Sequence, residues 1–251
     1  MWRVETETGS AVLKVFSERG IKVGDPIGTQ LLKLWDGKGA VRLLGERSDA
    51  VLMEWLEGPS LADITRPGQD EEAAQVIANT ALTLQAPPVK GYIPLKDHFG
   101  GVLLSSEIET YPQAVQPVFA RAQAFFEQLL RTTDTPKLLH GDLNYDNVIK
   151  SHRGWLAIDP KGIIADPCYD FGVVFRNPID EADRIATPRR IEALGKVLAS
   201  HTGLNCERIL QFGFAHVAMS LAYHFRRAST LSETDLAILR SFYAVLTSQS
   251  R

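Results

Sequence analysis

The chain has 251 residues, 45% hydrophobic and 23% charged, with 27 basic against 30 acidic side chains and a formal net charge of −3. That length suits one large domain or two small lobes around a sizeable core, and the charge balance excludes a basic nucleic-acid footprint. Two cysteines, Cys168 and Cys206, exclude a disulfide scaffold, and the absence of a signal-like leader or of an apolar run near ~18 residues points to a soluble, cytoplasmic protein with no membrane partner.

The first part of the chain reads as strands. Residues 2–7 and 11–16 form a candidate hairpin around the Thr8-Gly9-Ser10 turn, and Lys14 is embedded in an otherwise apolar second strand. A solvated lysine on an edge strand is the alternative to a functional one. Leu31, Leu32, Leu34 and Trp35 mark a short helix over 27–36, closed by Asp36-Gly37-Lys38-Gly39. Two more strands follow, at 40–44 and 50–56, and Glu57-Gly58-Pro59 breaks the second.

Past Gly58 the apolar period becomes helical. Residues 71–85 and 114–131 carry one-sided apolar stripes. Thr187-Pro188 is an N-cap and first-turn pair for a helix to about residue 201. A mostly apolar helix spans 207–228, and Ser232 with Asp235 opens the last one in the manner of a capping box. The outcome is an α+β chain with a small β-rich part (residues 1–57) and a larger helical part (58–251), joined near Gly58–Leu61. A cleft between two such parts is a natural ligand site.

The polar motifs fall between the helices, on short strands and loops over 138–164. Leu138-Leu139-His140-Gly141-Asp142 is followed by Asn147, and Trp155-Leu156-Ala157-Ile158 runs into Asp159. An Asp with an Asn five residues on, then a second Asp past a strand end, fits phosphoryl transfer. Asp142 would be the base that accepts a hydroxyl proton. Asn147 and Asp159 offer the hard oxygen donors that Mg²⁺ takes beside nucleotide phosphates. His140, grouped with the catalytic residues, would hold the loop through a hydrogen bond. Asp146 is either a group behind the ligands or a surface turn residue. Lys14 then fits the strand lysine that holds nucleotide phosphates, with Asp25 or Glu18 as its candidate acidic partner.

The pattern His140-Gly141-Asp142-Leu143-Asn144-Tyr145-Asp146-Asn147, with Asp159-Pro160-Lys161-Gly162 and Asp166-Pro167-Cys168-Tyr169-Asp170, resembles the aminoglycoside phosphotransferase family. Leu34–Leu44 and the Asp159–Gly162 stretch are similar to its streptomycin 6-phosphotransferase and hydroxyurea kinase branch. The resemblance implies a protein-kinase-like two-lobe fold, ATP and Mg²⁺ as cofactors, and a small, cationic hydroxyl compound as acceptor. It implies that Met53, Glu54 and Leu56 belong to the hinge that meets adenine, and that Val12, Val51 and Ile158 line the base pocket. Asp170 would anchor the segment after the metal loop. Lys161 would either touch phosphate or be a solvated loop lysine. The family's first strand and phosphate-covering loop are expected before the lysine strand and are missing from this chain. Asp180, Glu181 and Asp183 are candidates to meet a polycationic acceptor, with a solvated face as the alternative. His216 and His224 are expected in the core or at a rim. The function implied is an ATP-dependent small-molecule kinase acting on a streptomycin-like aminoglycoside or hydroxyurea. A sugar or amino-alcohol kinase and a non-catalytic nucleotide-binding pseudokinase are its rivals. A protein kinase fits less well, because Asp-Pro-Lys-Gly stands where Asp-Phe-Gly would.

Overall fold

The computed structural model describes residues 1–7, 9–18, 25–178 and 181–248, and the side chains of Asp25 and Ala182 are left aside. The expected turn at Thr8 therefore lies partly outside the described residues. Strands β1 (Trp2–Thr6), β2 (Gly9–Val15), β3 (Leu43–Glu46) and β4 (Ala50–Glu54) form an antiparallel sheet in the order β1-β2-β4-β3. Lys14 lies opposite Val51 in the register of β2 with β4, so the lysine strand is an inner strand and not an edge.

Helix α1 (Asp25–Trp35) packs Leu31, Leu32 and Trp35 into the core. The expected strand at 40–44 forms only from Leu43. Ala40 instead bridges Ala157, and Val41 N–H donates to Ala157 O at 2.9 Å. The chain here satisfies its backbone against the second half of the molecule, which a local strand pattern does not register. The strand expected over 50–56 ends at Glu54, and the stretch to Gly58 is an irregular connector.

Ser60 and Asp63 then make a full capping box at the start of a short helix, α2 (Leu61–Ile64). Helices α3 (Asp70–Leu84), α4 (Phe99–Leu104), α5 (Gln116–Arg131), α6 (Ala182–Ile185), α7 (Pro188–Thr202), α8 (Cys206–Ala228) and α9 (Glu233–Ser248) build the larger part. Its aromatic core includes Phe175, Phe212, Phe214 and Phe242, all 1% exposed or less. At the start of α7, Thr187 accepts from Arg190 N–H as its sequence implies. At α9 only half the capping box forms: Ser232 Oγ accepts from Asp235 N–H, while the Asp235 carboxylate takes a bidentate pair from Arg176.

Short strands carry the motifs. They are β5 (Ile93–Pro94), β6 (Lys137–Leu139), the hairpin β7 (Val148–Ser151) with β8 (Gly154–Ala157), and β9 (Ile163–Ala165). Strands β5, β9 and β6 form one small sheet, and β7 with β8 another. A ten-residue 3₁₀ segment, Pro167–Arg176, buries most of its length beneath α8. The tip of the β7–β8 hairpin reaches the smaller part: Arg153 donates to Gly37 O at 2.6 Å and pairs with the Glu54 carboxylate. No helix among the described residues is long and apolar enough to cross a membrane.

Candidate active site

Strand β6 delivers His140, Gly141 and Asp142 in sequence, and the buried carboxylate of Asp170 holds the turn. Asp170 accepts from Gly141 N–H at 2.7 Å and from His140 N–H at 3.2 Å. Burial pushes this carboxyl up to about 7, against the two backbone donors that favour its charged form. Gly141 has a φ of +85°, a left-handed conformation that glycine adopts without a Cβ penalty.

The His140 ring is fully spent on backbone. Asp142 N–H donates to its Nδ1 at 3.2 Å, so Nδ1 is unprotonated and Nε2–H donates to Ile158 O at 2.9 Å. Burial lowers its pKa to about 4, so the ring is neutral at pH 7. Trp35 lies parallel to it, with ring centroids 6.1 Å apart. Through this ring the loop carrying Asp142 is tied to the segment carrying Asp159.

Asp142 is half-buried, and burial raises its pKa, with Lys161 the strongest opposing charge. One carboxylate oxygen accepts from Asn144 Nδ2 at 3.2 Å. Asn147 donates its amide to the Asp142 carbonyl at 2.8 Å, while its own N–H goes to Asn144 Oδ1 at 3.0 Å. The Asn147 amide nitrogen thus faces the loop, and its Oδ1 is the atom turned the other way. Asp146 is exposed, the surface-turn alternative.

Asp159 has a φ of +54°, a conformation uncommon outside glycine and tolerated best by Asp and Asn. Its two oxygens meet two lysines: Lys14 Nζ at 2.5 Å on Oδ1 and Lys161 Nζ at 3.0 Å on Oδ2. Burial acts to raise this carboxyl, but the two ammonium groups outweigh it and hold it below the ordinary range. Lys161 is 18% exposed, so the solvated-loop alternative does not hold for it. Glu18 is exposed, and the Asp25 side chain lies outside those described.

Two cavities flank this centre. One, about 390 Å³, is lined by Lys14, Met53, Glu54, Leu56, Ile158 and Asp159, together with Val12. The expected phosphate and hinge residues, with two of the three base-pocket residues, therefore open onto one space. Val51 does not; it is 3% exposed and packs in the core. Trp55, which belongs to the same expected hinge stretch, also lines this cavity, and so do Thr29 and Leu32, which were not expected there. The second cavity, about 200 Å³, is lined by Asp142 with Phe99, Tyr169, Arg176 and residues of α8: His216, Ser220, Tyr223 and His224. The four α8 residues repeat at helical spacing, a polar stripe on an apolar helix that could have revealed the wall. Glu181 is paired with Arg184 and, like the exposed Asp183, does not line this cavity; Asp180 lies outside the described residues. Among the described residues no cluster of three or more His, Cys, Asp or Glu that could hold a metal ion forms.

A strand lysine is clasped to a carboxylate at one cavity, and a loop Asp faces the next. The profile described as aminoglycoside/hydroxyurea antibiotic resistance kinase matches residues 1–228. A streptomycin 3''-kinase of Klebsiella pneumoniae is 35% identical over 204 residues, covering 78% of this chain and 74% of the relative. A streptomycin 6-kinase of Streptomyces griseus is 30% identical over 175 residues, covering 64% of this chain but only 53% of that relative. In structure, the chain is similar to a thermostable mutant of aminoglycoside phosphotransferase APH(4)-Ia in complex with ADP and hygromycin B. That match has a TM-score of 0.66 at 12% identity, over 99% of this chain and 90% of the other. The chain belongs to the aminoglycoside/hydroxyurea antibiotic resistance kinase family, and it is a small-molecule kinase.

Proposed function

We propose that the chain transfers the γ-phosphoryl group of ATP to a hydroxyl of a small molecule in the cytoplasm. Residues 1–57 act as the nucleotide lobe and 58–251 as the acceptor lobe. The observation that carries this reading is the pair of cavities on either side of the Asp142–Asp159 centre. Met53, Glu54, Leu56 and Ile158 would hold the adenine end, and Lys14 the phosphates. The donor chemistry of Asp159 and Asn147, carboxylate and amide oxygens beside two cations, fits Mg²⁺. When bound there, Mg²⁺ would supply charge neutralisation for the phosphates.

Asp142 orients the acceptor hydroxyl and takes its proton, a role that demands position more than basicity. His140 is a positioning residue, since both its nitrogens face backbone. Relatives that phosphorylate streptomycin favour a streptomycin-like aminoglycoside as acceptor. Hydroxyurea is the alternative acceptor, and Asp142 is the one carboxylate lining the second cavity among the described residues.

The test is ADP release with streptomycin, hydroxyurea, simple sugars and amino alcohols, for the chain and for Asp142→Asn. Turnover should fall by a factor of about 10³ in the variant, with nucleotide binding retained. Equal ADP release by both proteins on every acceptor would sink the assignment. Nucleotide binding without turnover would favour the pseudokinase.

A further inference from the structure

We propose that Arg176 selects the acceptor: its Nη1 donates to an oxygen of the part of the molecule that enters the second cavity, and the acceptor's cationic groups stay outside. This rests on the phosphotransfer reading above and deepens it. The cavity is lined by one carboxylate, Asp142, and one guanidinium, Arg176. Of its two histidines, His216 is held neutral by burial, which pushes its imidazole down to about 3.

The chain fixes one edge of the Arg176 fork and leaves the other. Arg176 closes the 3₁₀ segment Pro167–Arg176. The next residue ties that segment to the loop of Asp142: Tyr145 N–H donates to Asn177 Oδ1 at 3.1 Å, and Asn177 Nδ2 donates to Val173 O at 3.0 Å. Nε and Nη2 of Arg176 bind the two oxygens of Asp235 at 2.9 and 3.0 Å. The Asp235 side chain is 7% exposed against 30% for Arg176, so the carboxylate is the buried anchor and the guanidinium reaches open space. Nη1 has no acceptor among the described residues. A guanidinium is planar, so fastening two of its nitrogens also sets the direction of the third.

Charge and lone pairs say what that nitrogen takes. Arg176 acts on both walls of the cavity, favouring the charged form of Asp142 and opposing that of His216. An ammonium or guanidinium entering beside it meets a like charge and no lone pair, because arginine accepts nothing. A carbonyl or hydroxyl oxygen meets two unspent N–H bonds from a charged donor, the stronger kind. The acceptor thus offers two oxygens to this cavity: the hydroxyl that meets Asp142 and a second that meets Arg176. The ion pair with Asp235 stays intact throughout.

Hydroxyurea and hydroxyguanidine are the matched probes. They share size and hydroxyl, and the second carries a nitrogen of a cation where the first has its carbonyl oxygen. Each is measured as an acceptor by ADP release and as a competitor of streptomycin turnover. The wild-type chain should take hydroxyurea at least about tenfold better. The double variant Arg176→Met with Asp235→Leu removes the guanidinium without stranding a buried carboxylate. It should keep KM for ATP within about twofold, raise KM for hydroxyurea about tenfold and bring the two probes within about threefold of each other. Arg176→Lys keeps the charge but not the fork, and should narrow the preference likewise, which guards against a double variant that fails to fold. A purely structural ion pair would lower Tm and leave the ratio of the probes unchanged. A wild type without the preference, or a preference that survives these substitutions, would overturn the role. A wild type that releases no ADP with streptomycin or hydroxyurea would overturn the phosphotransfer reading instead.

Discussion

Gly28 offers a test of how closely the metal loop is wedged. It sits inside α1, where alanine is ordinarily worth up to about 1 kcal/mol more than glycine. Here the added Cβ would lie 1.9 Å from the Pro160 carbonyl oxygen, a backbone atom that no rotamer change can move. Ordinary carbon–oxygen approach is about 3.3 Å, so helix and loop must part by about 1.4 Å. Overpacking of this kind costs about 1–3 kcal/mol, which leaves a net destabilisation of about 0–2 kcal/mol. That corresponds to at most about 8 °C in Tm for a chain of this size. The cost to turnover should be larger, because Asp159 and Lys161 flank Pro160, and about 1 Å of misplacement can cost about 100-fold. Gly28→Ala should therefore fold cooperatively and lose about two orders of magnitude in kcat/KM. Gly45→Ala, whose Cβ would meet Leu52 Cβ at 4.0 Å, is the matched control and should change neither quantity much. The assay pairs a melting curve with coupled ADP release. A Gly28→Ala protein that keeps activity within about threefold would refute the wedge.

Burial drives the His216 imidazole down to about 3 and that of His140 to about 4, against about 6.5 in an unfolded chain. Groups lowered in this way contribute stability above the unfolded value and lose it as pH falls towards the folded one. Between pH 7 and 5 each histidine should cost about 2 kcal/mol. Asp170, raised by burial to about 7, works in the opposite sense over the same interval because the folded carboxyl takes up the proton first. His216→Gln should therefore shrink the stability difference between urea titrations at pH 7 and 5 by about 2 kcal/mol, and an unchanged difference would contradict the burial argument. Asp170→Ala leaves the N–H groups of His140 and Gly141 without their acceptor and should cost about 2–5 kcal/mol in denaturant. Asp170→Asn, which keeps one acceptor oxygen, should cost less; a loss under about 1 kcal/mol for the Ala variant would show that the turn holds itself.

The motif residues were legible because their chemistry is local. Asp142 and Asn147 lie on one loop, and the apolar run before Asp159 announces a strand end. The long helices were legible for the same reason, through their one-sided apolar period. What the sequence conceals is set at long range. Lys14 pairs with Asp159, 145 residues away, a contact that no acid in the stretch after β2 announces. Ala40 and Val41 looked like strand because they are apolar, but their hydrogen bonds go to β8. The ten-residue 3₁₀ segment at Pro167–Arg176 is stabilised by burial under α8, which no periodicity over that stretch reports. The second cavity is built from α8, whose polar stripe gains meaning only when packed beside Asp142.

Arg153 has a bearing on where this chain can be cut or lengthened. Hairpin tips are commonly the safest places to insert a tag or rejoin the termini, and the turn between β7 and β8 looks like one. Its arginine, however, grips the Gly37 carbonyl and the Glu54 carboxylate, and Glu54 also accepts from Arg42 N–H at 2.8 Å. An insertion at residues 152–153 would release the connector between sheet and helices along with the turn. The turns at Gly68 and Gly91, where an added Cβ would meet nothing within 4 Å, are the places to splice a reporter and keep the protein whole.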